Sequence, residues 1–434
     1  MINSNVTLFK SLAGINSLKA HTTTLSKSLS ISVINQAVSS ATNFLFALYL
    51  VRVLSPRDFG IYGIGMSICL FYTGVGNALF LTQMVVNSPD KPGEDRLSYA
   101  ARVLVGVLLF SVSTLFLIGL TLLGSPLFPP WLAAKGQLVM AVGTSSVALL
   151  IKEYFVRQAY TANAESRALA TNSTIALSVI GMLAYQHLSG WRLDVEGVLW
   201  IFAIGQVAGA VAAVMLAKLP LRNILWRAVV RDIQEAWVGG RWALGGVSVT
   251  WAQSQAYMYV IAFALGPVGV GFANAARLFI APFTLMLTAI NQVTMPRLAE
   301  LRVHDRSRMI RYGLTITAGL LVLAVVYAFC AVTFAGVIAP AVLGDKYRNI
   351  TPLVIVWCVA LLFQLLRDGA GILMQVMKKF RALAIANAFS AIVSIVAALA
   401  LIRWLGASGA ILGTVIGDLC LGILLWRMIR NDER

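Results

Sequence analysis

Charged and amide side chains interrupt apolar stretches of this 434-residue sequence at a few places. Arg277 is one. Arg367 and Asp368 form an adjacent pair, Lys152 and Glu153 form another with Arg157 one helical turn further on, and Asp418 stands alone. A guanidinium presents a planar fork of donors that grips a phosphate through two hydrogen bonds at once. An ammonium is a point charge for the same anion, and a buried carboxylate can carry a coupling proton or sodium ion. Asn35, Ser39, Thr42 and Asn43 recur at i, i+4, i+7 and i+8, one face of a helix. Gln255 belongs to a looser polar set with Ser248, Gln253, Ser254 and Tyr257. Amides and hydroxyls on such a face line a wet cavity, where they suit sugar hydroxyls, or bond one membrane helix to the next.

Each candidate has two readings. Arg277 contacts an anionic ligand or bonds to helix ends. The two basic–acidic pairs staple helix ends together, or they gate a cavity mouth with Lys152, Arg157 and Arg367 meeting an anion. Neighbouring positions on a helix point about 100° apart, so Arg367 and Asp368 are expected to face different targets. Asp418 and the pair members Asp368 and Glu153 are the candidates for gating or ion coupling. Enzyme chemistry finds no support. The three histidines, His21, His187 and His304, fall in expected loops, and the four cysteines lie in apolar runs without metal-ligand spacing. The "GGRWALGG" stretch at 239–246 follows no strand and lacks the Gly-Lys-Ser/Thr of a phosphate loop. No metal and no cofactor are expected beyond a coupling H+ or Na+.

The surrounding elements are membrane helices. The chain is 59% hydrophobic and 12% charged, against about 25% charged for a soluble domain, and its mean hydropathy is +0.83. A spanning helix needs about 20 apolar residues. Twelve such segments emerge at 29–53, 60–86, 99–123, 137–158, 168–188, 196–217, 241–264, 270–294, 311–337, 352–376, 382–403 and 408–428. The alternating pattern of an outer-membrane barrel is absent. The fold class is therefore an all-α polytopic membrane protein. Lys and Arg crowd alternate loops, which places both termini in the cytoplasm. The net charge of +17 then reflects cationic loops against anionic membrane lipid rather than a nucleic-acid partner.

The chain is also duplicated. "LSPRDFG" at 54–60 and "LGPVGVG" at 265–271 share Leu, Pro and Gly, each 211 residues apart. Gly197 and Gly205 recur 212 residues on as Gly409 and Gly417, and "RALA" recurs at an offset of 214. Six spans per half return the chain to the same side, so the halves are parallel repeats around a central cavity that opens by rocking. The division is a cytoplasmic leader at 1–28, an N-lobe at 29–217, a basic cytoplasmic linker at 218–240, a C-lobe at 241–428 and a tail at 429–434. In the first hairpin, Pro56 is expected to break the helix, Asp58 to cap the next one and Gly60 to let the chain turn.

The run "NQAVSSATNFLFALYLVRVLSPRDFGIYGIG" resembles the first helical hairpin of bacterial polysaccharide flippases of the multidrug/oligosaccharidyl-lipid/polysaccharide (MOP) superfamily. "GNALFLTQ" at 76–83, "LIKEYFVRQAY" at 150–160, "LGPVGVGFANAARL" at 265–278, "TMPRLAEL" at 294–301, "VLGDKY" at 342–347 and "LGASGAILGTVIGD" at 405–418 extend the resemblance over nearly the whole chain. It implies a flippase of the bacterial inner membrane that turns over a polyprenyl-diphosphate-linked glycan for O-antigen or exopolysaccharide synthesis. A polysaccharide polymerase and a chain-length regulator would be its partners. An ion-coupled multidrug exporter and a lipid II flippase of the same superfamily are the alternatives. A membrane glycosyltransferase is disfavoured by short outer loops without DxD or DDxxD patterns.

Overall fold

The structure is a computed structural model that describes residues 30–91, 93–123, 135–217, 219–220 and 224–431. The basic leader, Lys218, Arg222 and the last three residues lie outside them. Among the described residues ten helices are long and apolar enough to cross a membrane, and no strand is present. Two of the ten run 52 residues each and bend at a glycine: Gly266 has φ 73° and Gly406 has φ 58°. A side chain at such a φ would strain the backbone, which is why glycine marks both bends. Counting the arms separately gives twelve helices. They are α1 (Ser30–Val53), α2 (Pro56–Asn87), α3 (Asp95–Leu122), α4 (Gly136–Thr161), α5 (Glu165–Ser189) and α6 (Val195–Ala217), then α7 (226–265), α8 (267–304), α9 (Arg306–Leu343), α10 (Thr351–Val376), α11 (380–405) and α12 (407–431). The chain is a multi-pass membrane protein. The basic stretch 218–240 is helical from Trp226 onward and prolongs α7.

The two halves repeat in detail. Gly205 of α6 lies against Ile175 and Val179 of α5, and Gly417 of α12 lies against Ser390 and Ser394 of α11. Small residues let these helix backbones approach closely without a hydrophobic driving force.

The first hairpin departs from its expected form. Ser55, not Asp58, caps α2: its hydroxyl oxygen accepts the Asp58 backbone N–H at 3.1 Å and the hydroxyl donates to the Asp58 carboxylate at 2.7 Å. Pro56 begins the helix rather than breaking one, since the first helical position has no use for an N–H. Gly60 is inside α2, so its role is not a turn. A Cβ there would stand 1.9 Å from the Pro267 carbonyl oxygen, and a Cβ at Gly271 would stand 1.9 Å from the Pro56 carbonyl oxygen. The repeated motif is thus a reciprocal contact between the lobes, with each hairpin's glycine on the other's proline carbonyl. Lys346, in the short turn between α9 and α10, adds to this end by donating to the carbonyls of Arg52 and Leu54 at the end of α1. Burial lowers its pKa below that of an ordinary lysine.

From there α7 runs along the N-lobe. Tyr259 shares a 2.6 Å hydrogen bond with Ser67, and Trp251 donates to the Ser67 carbonyl at 3.0 Å. At the far end Gly240 abuts the Ala78 carbonyl, and Arg102 of α3 pairs with the buried Asp232. The α2–α7 seam is closed along its length. Its symmetry mate is not: between α1 and α8–α9 lies an apolar cavity of about 280 Å³, lined by Phe44, Leu48, Leu278, Phe279, Tyr327 and Phe334 among others.

Candidate functional site

The N-lobe encloses a polar cavity of about 480 Å³ among α1, α2, α4, α5 and α6. Its walls carry Ser39, Thr42, Asn43, Thr73, Asn77, Lys152, Glu153, Asn172 and Gln206, with Phe46, Tyr62 and Phe202 as aromatic faces. The α1 stripe divides its work. Asn35 is glue, since its amide donates to the Tyr160 hydroxyl at 2.8 Å and its carbonyl accepts from Asn172 at 2.8 Å. Asn43 is exposed at the cavity mouth. Lys152 and Glu153 bond each other at 2.6 Å, so the cavity carries an ion pair and little net charge. Arg157 turns away, lining a second hollow of about 400 Å³ with Glu153, Tyr160 and Val85.

Two acceptors within the cavity wall, sealed from the cavity itself, have no donor. The side-chain oxygens of Asn77 and Gln206 are buried without a hydrogen-bond partner, and Gln206 is only 4% exposed. Leaving such a group unsatisfied costs about 1–3 kcal/mol. Asn77 opens a π-helical turn in α2 (Asn77–Leu81), an irregularity common at functional sites.

The C-lobe treats its matching positions differently. Arg367 and Asp368 lie 215 residues after Lys152 and Glu153, and Asp418 lies 212 after Gln206. Arg367 bonds Asp368 at 2.8 Å and Asp418 at 2.6 Å. The pairing is both local and across helices: the long guanidinium arm lies between a carboxylate on its own helix and one on α12. Gln253 of α7 reaches Asp418 at 3.4 Å and Ser390 at 3.1 Å. These bonds staple α7, α10, α11 and α12 together. Gln255 is half-buried, and it lines neither the N-lobe cavity nor this network.

Arg277 is different again. It ends the first arm of α8, where i→i+3 bonds across 275–281 and the missing N–H of Pro282 break the helix. Its guanidinium sits 5.3 Å from the Trp357 ring centroid and 5.9 Å from that of Tyr257, and it donates to the Tyr257 hydroxyl at 3.2 Å. Its contacts among the described residues include no carboxylate within 4.0 Å. Tyr257 donates in turn to Asn274, which packs on Gly63 of α2 beside the cavity-lining Tyr62. The next two residues of the chain, Leu278 and Phe279, line the apolar α1–α8–α9 cavity. The sequence marks Arg277 and places Tyr257 in a polar set, but it does not mark Trp357 or Asn77. A lone amide in the apolar α6, aligned with Asp418 by the repeat, is the signal that points to Gln206.

Solved structures of several transporters share this architecture. One described as "Lipid II flippase MurJ, inward closed conformation" matches with a TM-score of 0.74 and 14% identity, over 92% of this chain and 87% of that one. An inward-facing multidrug resistance MATE family transporter of the MOP superfamily gives 0.65 and 15%, over 92% and 98%. A MOP superfamily transporter from Pyrococcus furiosus, reported for the reverse polarity of its binding pocket, gives 0.59 and 14%, over 94% and 95%. Curated proteins provide no match. The sequence pattern of the family described as "Polysaccharide biosynthesis protein" matches residues 49–352. Joined to two six-helix lobes with the MurJ and MATE architecture, that match makes the chain a member of the polysaccharide biosynthesis protein family with the fold of MOP-superfamily transporters.

Proposed function

We propose that the protein flips a polyprenyl-diphosphate-linked glycan across the bacterial inner membrane, with both termini in the cytoplasm, by rocking its two lobes. The observation that carries this reading is Arg277. A guanidinium inside the membrane is expensive unless it has work to do, and this one is held by aromatic faces with its fork free of any carboxylate. That is the state in which it can grip a diphosphate bidentately. The apolar α1–α8–α9 cavity beside it suits the prenyl chain, and it lies on the open seam through which a lipid would slide. The reciprocal hairpin contact is then the closed outer side of an inward-loaded state. A cationic drug would instead call for carboxylates at this place.

The test is translocation of a fluorescent polyprenyl-diphosphate-linked glycan in vesicles containing the purified protein. The wild type moves it, and Arg277→Ala at equal protein level loses at least tenfold in rate. Full activity of Arg277→Ala removes the diphosphate contact. Export of a cationic dye with no movement of the lipid-linked glycan removes the flippase reading altogether.

A further inference from the structure

We infer that the hollow of about 530 Å³ among α9, α10 and α12 is a groove for an anionic phospholipid, with an acyl chain along its apolar walls and the phosphate held between Arg427 and Arg430. This is a second lipid site, and it stands whether or not the flippase reading holds. The α12 residues that border the hollow run from Asp418 and Leu419 through Ile423 and Trp426 to Arg427 and Arg430, along one helical face. At 1.5 Å of rise per residue that face is about 18 Å long, close to the roughly 15 Å of hydrocarbon in one leaflet. Leu314, Leu419 and Ile423 are exposed on its walls, an apolar surface that in a membrane-spanning chain meets lipid. Charge sits only at the ends. At the deep end Asp418 is already bonded to Arg367 and Gln253. At the rim Arg427 and Arg430 are exposed and have no acidic partner among the described residues. Three positions apart on a helix, their Cβ atoms are about 5–6 Å apart, which lets two guanidinium groups close on one phosphate. The negative end of the α12 dipole accounts for Arg430 in the last turn, but not for Arg427 before it. The rim lies where α12 ends and α9 begins, at the end that the proposed orientation puts in the cytoplasm, and basic pockets between membrane helices on that side take anionic headgroups. The cavity proposed for the prenyl chain meets α9 from Tyr327 onward, whereas this groove meets it at Ile310 and Leu314, about 20 Å away along the helix.

The experiment compares retention of dioleoyl phosphatidylglycerol and dioleoyl phosphatidylcholine by the full-length protein in detergent, counted by native mass spectrometry. The wild type retains phosphatidylglycerol roughly 30-fold better, the effect of two arginines at an anionic headgroup. Arg427→Gln combined with Arg430→Gln abolishes that preference without changing the melting temperature. Arg227→Gln combined with Arg231→Gln removes the same charge from an exposed stretch of α7 and keeps the preference. Leu419→Trp fills the groove and lowers retention of both lipids. A preference that survives in the α12 double variant, or that falls equally in the α7 one, overturns the site. So does full competition by glycerophosphate at the lipid's own concentration, since the phosphate would then bind without the groove. A prenyl diphosphate that displaces phosphatidylglycerol at far lower concentration gives the groove to the transported lipid and overturns the phospholipid assignment. If the α12 double variant does not fold, Leu419→Trp decides: undiminished retention of phosphatidylglycerol overturns the groove, and loss of it upholds the groove.

Discussion

The two lobes solve the same architectural problem with opposite chemistry. At matched positions the C-lobe has Arg367, Asp368 and Asp418 in one bonded cluster with Gln253, whereas the N-lobe has a self-paired Lys152–Glu153 and an unsatisfied Gln206 around a cavity. In the C-lobe these groups hold four helices together, with Asp418 also bordering a hollow of about 530 Å³, whereas in the N-lobe the pair stays within its own helix at the wall of a cavity.

That contrast can be broken from the C-lobe first. Asp418→Ala leaves Arg367 buried with one carboxylate and should cost about 3–5 kcal/mol of stability, read from unfolding in mixed micelles. The double variant Arg367→Met, Asp418→Leu should recover most of the loss, because apolar side chains of similar volume replace a buried ion pair at little cost. Equal losses in single and double variants would mean that the cluster is not a unit. Next come the hairpin glycines. Gly60→Ala and Gly271→Ala each place a methyl inside a carbonyl oxygen's radius and should disfavour the present arrangement by about 1–3 kcal/mol. Spin labels at Arg57 and Val268 should move apart in both variants alike, and a response from only one would deny the reciprocity. A smaller effect is expected in the N-lobe, where Lys152→Met should cost about 1 kcal/mol because its partner is partly exposed. Smallest is Gln206→Leu, neutral or stabilising by under about 1 kcal/mol. A large loss there would mean that Gln206 is structural glue and that the lobes do not differ as described.

The sequence foretells the helices and the duplication because both rest on patterns a single chain displays: 20-residue apolar runs and constant offsets of Leu, Pro and Gly. It misplaces meaning where meaning depends on a partner. Gly60 looks like a turn residue until Pro267 lies against it. Asn35 and Asn43 share one helical face, yet one is consumed by Tyr160 and Asn172 and the other opens on a cavity. Arg367 and Asp368 point apart as Cα vectors, and only the length of an arginine side chain brings them together. Gln206 carries no motif at all; its interest lies in a bond it does not make.

The contact of Gly60 with Pro267 and of Gly271 with Pro56 has the form of an isologous dimer interface, the same patch meeting itself across a two-fold axis. Such a surface is self-complementary by construction. The patch on each six-helix half is complementary to its repeat in the other half. The single chain therefore behaves at this end as a tethered homodimer. Its lobes can drift apart in every cavity and charge cluster, provided that these four residues change together or not at all.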